Sequence, residues 1–253
     1  MKNLLTHLLL LVAAVLAPAV CRAADVTLMP VNVHLDRNND RTTVQVVNNG
    51  SEPVIMQAEA IAWSRVDGKD IDGPTTDIIV NPPVFTVKPG QTQVVRVGLR
   101  RSQDLQQEAT YRMVLREVPG LHLGDVGSVN GSVRVLVSLR VPIYVAPMKI
   151  VRDQQWKLQS AADGDVIAKV SNAGNVHMKI ADLRLQGEGS EGLVIEQKGP
   201  QAVIFPGEER SYRLKRAVAA TGDAGGAATL QATRLQIRTD QGVEHVALVD
   251  SQP

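Results

Sequence analysis

The chain of 253 residues has one cysteine, Cys21, and very few aromatic residues: two phenylalanines, two tryptophans and three tyrosines. A single thiol cannot close an internal disulfide, so stability has to come from apolar cores rather than covalent staples. With 27 basic against 26 acidic residues there is no global basic excess, and few rings exist to stack on bases, so a nucleic-acid partner is excluded. Catalytic signatures are missing as well. No G-x-S-x-G elbow occurs, no pair of carboxylates stands out within one motif, and His34, His122, His177 and His245 are scattered without metal-ligand spacing. Gly187-Glu188-Gly189-Ser190-Glu191-Gly192 matches G-x-G-x-x-G literally, but apolar alternation resumes at Leu193 and two glutamates would repel phosphate; it reads as a hairpin loop. No enzyme activity, cofactor or metal is expected. After residue 23 no stretch carries a helical period.

What is present begins with an export signal. Lys2 supplies the positive start, Leu4–Ala17 is an apolar run, and Cys21 and Ala23 stand at −3 and −1 of a cleavage site that would leave Ala24 as the new N-terminus. Two alternatives compete: an uncleaved membrane anchor, for which the run is short, and lipoprotein cleavage before Cys21, for which Val20 is too large. Cleavage after Ala23 removes Cys21, Lys2 and Arg22; two fewer cations turn the formal charge from +1 to −1. About 230 residues then suit two domains of ordinary size.

Both halves read as strands. Short apolar alternations recur at roughly ten-residue spacing from Val26 to Val118, separated by turn chemistry such as Asp36–Asp40, Asn48-Asn49-Gly50, Asp67-Gly68 and Lys88-Pro89-Gly90-Gln91, the last with proline and glycine placed for a type II turn. The pattern restarts after Pro147 and runs to Val249, with Pro206-Gly207 marking another turn. The halves do not repeat each other closely in sequence. The expected fold class is all-β, with residues 1–23 a signal peptide, 24–147 a first sandwich domain and 148–253 a second.

Val133–Pro147 is the most distinctive segment. Val133, Val135, Val137, Leu139 and Val141 alternate with Arg134, Leu136, Ser138 and Arg140, and the run ends in Pro142 and Pro147, which cannot donate to a ladder. A long, apolar, almost acid-free edge strand is an aggregation hazard. One reason to keep it is that another chain's sheet uses it. The bland alternative is that these valines face the domain's own core.

Several segments together resemble the PapD-like periplasmic chaperones of the chaperone–usher pilus pathway: Val26–Leu28, the Asn48-Asn49-Gly50 turn, Asn81-Pro82-Pro83-Val84, Lys88-Pro89-Gly90 followed by Val95-Arg96-Val97, Tyr111–Pro119, and Val133–Pro147. The resemblance implies a boomerang of two immunoglobulin-like sandwiches. In that family the first domain lends its last strand to a pilin or fimbrial subunit, and the complex is handed to an outer-membrane usher. Val133, Val135, Val137 and Leu139 are then the donor positions. The family's well-known branch grips the subunit's terminal carboxylate with a basic pair, but Asn32 and Pro142 stand at those places here. The pattern is closer to the archaic branch, whose Tyr-Arg pair on the sixth strand matches Tyr111 and Arg112. Arg112 is the leading anchor, a permanently charged planar fork, with Arg116 on the same face and Arg140 on the non-donor face of the edge strand as further candidates. The plainer reading of Arg112 is a surface ion pair with Glu108 or Glu117. The resemblance places the protein in the periplasm, and a homodimer that covers the exposed strand is expected. The alternatives are a structural pilus subunit or adhesin, which would carry an apolar N-terminal extension, and a secreted binding module, which would want exposed aromatics.

Overall fold

The computed structural model describes residues 25–102, 104–119, 135–161, 165–187, 194–196, 203–214 and 232–247. Residues 1–23, Val133, His122 and positions 188–192 of the glycine-rich motif lie outside them.

The described residues form strands and turns only. In the first sandwich one sheet runs in the order β1 (Val26–Met29), β3 (Arg41–Asn48), β8 (Thr92–Leu99), β6 (Ile78–Asn81). The facing sheet runs β2 (Val33–Leu35), β10 (Ser138–Val145), β9 (Ala109–Val118), β4 (Val54–Val66), β5 (Lys69–Pro74), with β7 (Val84–Val87) also on β4. Alternate residues explain the packing: Val44, Val46, Val95 and Val97 of one sheet meet Met56, Met113, Leu115 and Ile143 of the other in one buried cluster. The second sandwich packs β11 (Gln154–Ser160), β12 (Val166–Asn172) and β16 (Glu209–Leu214) against β14 (Val194–Glu196), β13 (Met178–Gly187), β17 (Ala232–Thr239) and β18 (Gly242–Ala247), with β15 (Val203–Ile204) on β13. Its core joins Val166, Ala168 and Val170 to Leu183, Leu185, Leu235 and Ile237.

Two elements differ from the expectation. Val26–Val33, which reads in the sequence as a single apolar alternation, is not one strand: the chain leaves the first sheet after Met29 and re-enters in the other at Val33. Pro30, which has no N–H to extend a ladder, stands at the crossing. The strand β5 was not anticipated. Asp67 and Gly68 both have positive φ, 50° and 72°, so they form a tight two-residue turn of type I′ character that returns β4 directly into β5.

Each domain contains the same buried asparagine lock. Asn48 donates its Nδ2 to Glu52 O (2.7 Å) and Val87 O (2.9 Å), and its Oδ1 accepts from Gly50 N (2.9 Å). Its backbone bonds both ways to the Pro89-Gly90 turn, through Gly90 N to Asn48 O and Asn48 N to Gln91 O. Asn172 repeats this with Val176 O, Ile204 O and Gly174 N, and with Gly207 N and Glu208 O of the Pro206-Gly207 turn. In both turns the glycine has positive φ (68° and 80°), as type II requires at its position, and the next residue closes the i to i+3 bond, Gln91 N to Lys88 O and Glu208 N to Phe205 O. The halves therefore do share a local repeat.

The two sandwiches touch along two strips. In one, Trp63 and Tyr144 pack on Val203 and Phe205, and Arg65, almost fully buried, donates to Val203 O (2.8 Å) and Glu208 (3.2 Å). In the other, Asn175 donates to Gln106 O and Lys149 O, Glu108 N donates to Asn175 O, and His177 Nδ1 donates to the buried Glu108 carboxylate at 2.7 Å.

Candidate functional site

The hydrogen-bond phase of β10 is set at both ends. Glu117 N–H donates to Val137 O at 2.8 Å, so Val137, and with a period of two Leu139 and Val141, turn their backbone groups toward β9. Ala146 N–H donates to Leu35 O at 2.9 Å, so the even-numbered residues face the other way. On that side β2 pairs in parallel with Ile143–Val145 only. Among the described residues no strand covers Ser138, Arg140 and Pro142, whose outward groups form an open edge. Pro142 costs this edge nothing in the domain's own ladder, because its missing N–H falls on the outer side.

Side chains along β10 and the residues leading into it grade from buried to exposed. Val141, Ile143 and Val145 belong to the core, Leu139 is half-buried against it, Val137 is half-buried, and Val135 is 49% exposed. The alternation is thus one continuous apolar face whose last part overhangs the domain that owns it. A second tie holds the point of exit: Val137 N–H donates to the buried Glu117 carboxylate at 3.1 Å.

At the other end of the open edge lies a cleft of about 420 Å³, lined by Asn32, Arg112, Arg140, Pro142 and Tyr144 of the first domain and Lys179 of the second. Arg112 pairs in register with Pro142, and its guanidinium is buried on the outer face of the sheet. It stacks 3.9 Å above the Trp63 ring and donates to Asp70 (2.5 Å) and Asp72 (2.8 Å) of β5. Burial of that charge is tolerable because it is both paired and hydrogen-bonded. Asp70 also accepts from Arg65 at 2.9 Å, and Asp72 from Arg140 at 2.5 Å. Burial would raise the Asp70 carboxyl, but hydrogen bonds from Arg112 and Arg65 outweigh it and hold the group below its usual range. The result is an alternating series, Glu208, Arg65, Asp70, Arg112, Asp72, Arg140, that runs from the second domain to the open edge.

The structure thus gathers Arg112 and Arg140 in the cleft and sends the other two anchor candidates elsewhere. Tyr111 points into the core and donates its hydroxyl to Asp77 at 2.9 Å. Arg116 lies farther along β9, half-exposed and paired with Glu59. The pairing of Arg112 with Glu108 or Glu117 is replaced by the two aspartates of β5. Those aspartates, Trp63 and Lys179 were not singled out from the sequence. The Asp67-Gly68 signal could have revealed the aspartates, since a two-residue hairpin turn demands a return strand. Among the described residues no three histidine, cysteine or acidic side chains gather as a metal site.

Residues 25–151 match the family model described as pili and flagellar-assembly chaperone, PapD N-terminal domain. No curated protein matches. Solved structures similar to this chain include the chaperone–tip adhesion subunit pre-assembly complex of archaic chaperone-usher Csu pili from Acinetobacter baumannii. That match has 16% identity and a TM-score of 0.57 over 89% of this chain and 98% of the other. The Escherichia coli chaperone DraB matches at 18% identity and 0.56, over 90% of this chain and all of its own. The SafA pilin–SafB chaperone complex of Salmonella enterica matches at 14% and 0.54, over 92% and 99%. These matches run through both sandwiches, and the fold is that of two immunoglobulin-like domains in a boomerang. With the family model spanning half of its length, the chain belongs to the pili and flagellar-assembly chaperones of PapD type.

Proposed function

We propose that this protein is a periplasmic chaperone that stabilises pilus or fimbrial subunits by donor-strand complementation and delivers them to an outer-membrane usher. The observation that carries the reading is the overhanging apolar face formed by Leu139 of β10 with Val137 and Val135 just before it, beside an open backbone edge at Ser138–Pro142. The matched structures include chaperones solved with a pilin or a tip adhesin.

The geometry supports a direction of docking. The cations at the end of the open edge, Arg140 and Lys179, favour a strand that brings a carboxylate end there, which is one running parallel to β10, and it must stop where β2 begins pairing at Ile143. Its C-terminal end then lies at the cleft, beside Arg140 and Lys179. Val133, Val135, Val137 and Leu139 are assigned as donors that fill the subunit's groove. Arg112 and Arg140 are assigned as the anchor, with Lys179 added; Tyr111 and Arg116 support the sheet instead. The driving force is burial of apolar side chains at about 25 cal/mol per Å², with no bond chemistry and no nucleotide.

In this reading residues 1–23 are removed on export, and the domains divide at 147/148. The free protein covers its edge by weak self-association through the first domain; a dilution series followed by light scattering that finds only monomer removes that part.

The test is co-expression with pilin-like subunits in the periplasm, followed by pull-down. A one-to-one complex that is lost in Val135→Glu and weakened in Arg140→Gln supports strand donation. Capture of no subunit, although both are exported, overturns it.

A further inference from the structure

The cleft's arginines are already occupied, and the occupant is itself a carboxylate. Asp72 places Oδ1 2.8 Å from Arg112 Nη1 and Oδ2 2.5 Å from Arg140 Nη1, so it bridges the buried cation and the exposed one. Asp70 is a different case, because it is clamped between Arg65 and Arg112 and has no contact with Arg140. Asp72 projects from β5, and both residues it bridges line the cleft into which the open edge of β10 leads. Lys179, across the cleft, is exposed and its ammonium has no carboxylate partner among the described residues.

We propose that Asp72 is an internal competitor: its carboxylate holds the arginine fork that the terminal carboxylate of an added strand would take, and docking exchanges one ion pair for the other. The proposal rests on the reading that β10 accepts a partner strand. Its physical content is a matter of differences. Arg140 without Asp72 would offer an unpaired cation at the end of the edge, and a charge-assisted bond to an arriving carboxylate would be pure gain. With Asp72 in place the arriving group must displace an equivalent bond, and only the difference between the two remains. Such an arrangement keeps the terminus from becoming the strongest point of attachment. It leaves affinity to the apolar alternation and makes release easy for a protein whose task ends in handing the strand over.

The probe is a synthetic nine-residue peptide of alternating valine and serine, made with a free C-terminal carboxylate and as the C-terminal amide. Binding is followed on the full chain by the fluorescence of Trp63, which lies under Arg112 in the cleft wall. Wild type is expected to bind both peptides within about threefold. Asp72→Asn, which keeps shape and removes the charge, is expected to bind the carboxylate peptide roughly ten-fold more tightly and the amide unchanged. Arg140→Gln in the Asp72→Asn background should remove the gain. The proposal is overturned if Asp72→Asn weakens the carboxylate peptide, which would make Asp72 a mere positioner of the arginines, or if it strengthens both peptides equally. A wild type that already prefers the carboxylate by ten-fold or more overturns it as well, and that comparison decides alone should Asp72→Asn fail to fold by circular dichroism. Binding of the amide tests the strand-accepting reading separately: if neither peptide binds wild type, that reading falls and the competitor role with it.

Discussion

Asn48 and Asn172 make the same five hydrogen bonds in two different domains, each tying a glycine two residues on, a carbonyl four residues on, two backbone groups of a Pro-Gly turn and the carbonyl of the strand residue just before that turn. Both are fully buried. Replacing either by alanine strands two carbonyls and a glycine N–H, which should cost about 2–4 kcal/mol. Urea denaturation of Asn48→Ala and Asn172→Ala should show comparable losses at the two positions; a loss under about 0.5 kcal/mol would mean that water replaces the lock.

The apolar alternation of β10 should divide into two classes by stability. Val141 is buried, so Val141→Ala should cost about 1–2.5 kcal/mol, whereas Val135, half-exposed, should cost under about 0.5 kcal/mol when cut to alanine. Melting curves on the free protein measure both. A large cost at Val135 would show that it serves the domain's own core and not a partner.

Arg112 should resist its nearest chemical substitute. Arg112→Met leaves Asp70 and Asp72 without a shared partner and should destabilise by about 2–4 kcal/mol, less than for a fully buried pair because the aspartates keep some access to water. Arg112→Lys should recover little, since a point charge cannot fork to two carboxylates and stack flat on Trp63. Chemical denaturation of both variants tests this; full recovery in Arg112→Lys would mean that charge alone matters.

Acidification should loosen the junction between the domains before it harms the carboxylates. His34 stacks on Tyr144, near His177. Burial and the nearby His177 push its pKa below 6.5, against the opposing pull of Glu108 and Asp240. A folded state that prefers neutral His34 contributes stability in full above pH 6.5 and loses it as pH falls below that value. The Asp70 contribution has the same direction but a lower window: it is complete above its ordinary value of 3.8 and is lost only as pH falls below it. Stability measured from pH 7 to pH 5 should decline in wild type and decline less in His34→Gln. Equal slopes would remove His34 as the cause.

The strands were legible because alternation of valines with polar residues admits little else, and the Pro89-Gly90 turn because its two residue types match the two backbone angles it needs. The open backbone edge of β10 was legible from Pro142, and Arg112 from the resemblance. The β5 strand escaped because Lys69–Pro74 has a single large apolar residue, Ile71, which is itself exposed; this strand exists to present Asp70 and Asp72, not to fill a core. The position of Tyr111 follows from strict alternation with Arg112: neighbours on a strand cannot share a face, so one of the pair had to be structural. The lock of Asn172 was hidden because only Asn172, Gly174, Pro206 and Gly207 keep the residue types of Asn48, Gly50, Pro89 and Gly90, and they stand far apart in a sequence otherwise unlike.

Because β2 occupies one side of β10 from Ile143 onward, every strand that docks on that side is measured from the same origin. Among the described residues the far end has no such fence. Under the proposed reading, guests of different length share a common final residue and differ only in how far they extend past Val135, so one host gauges its clients by their tails while ignoring where they begin.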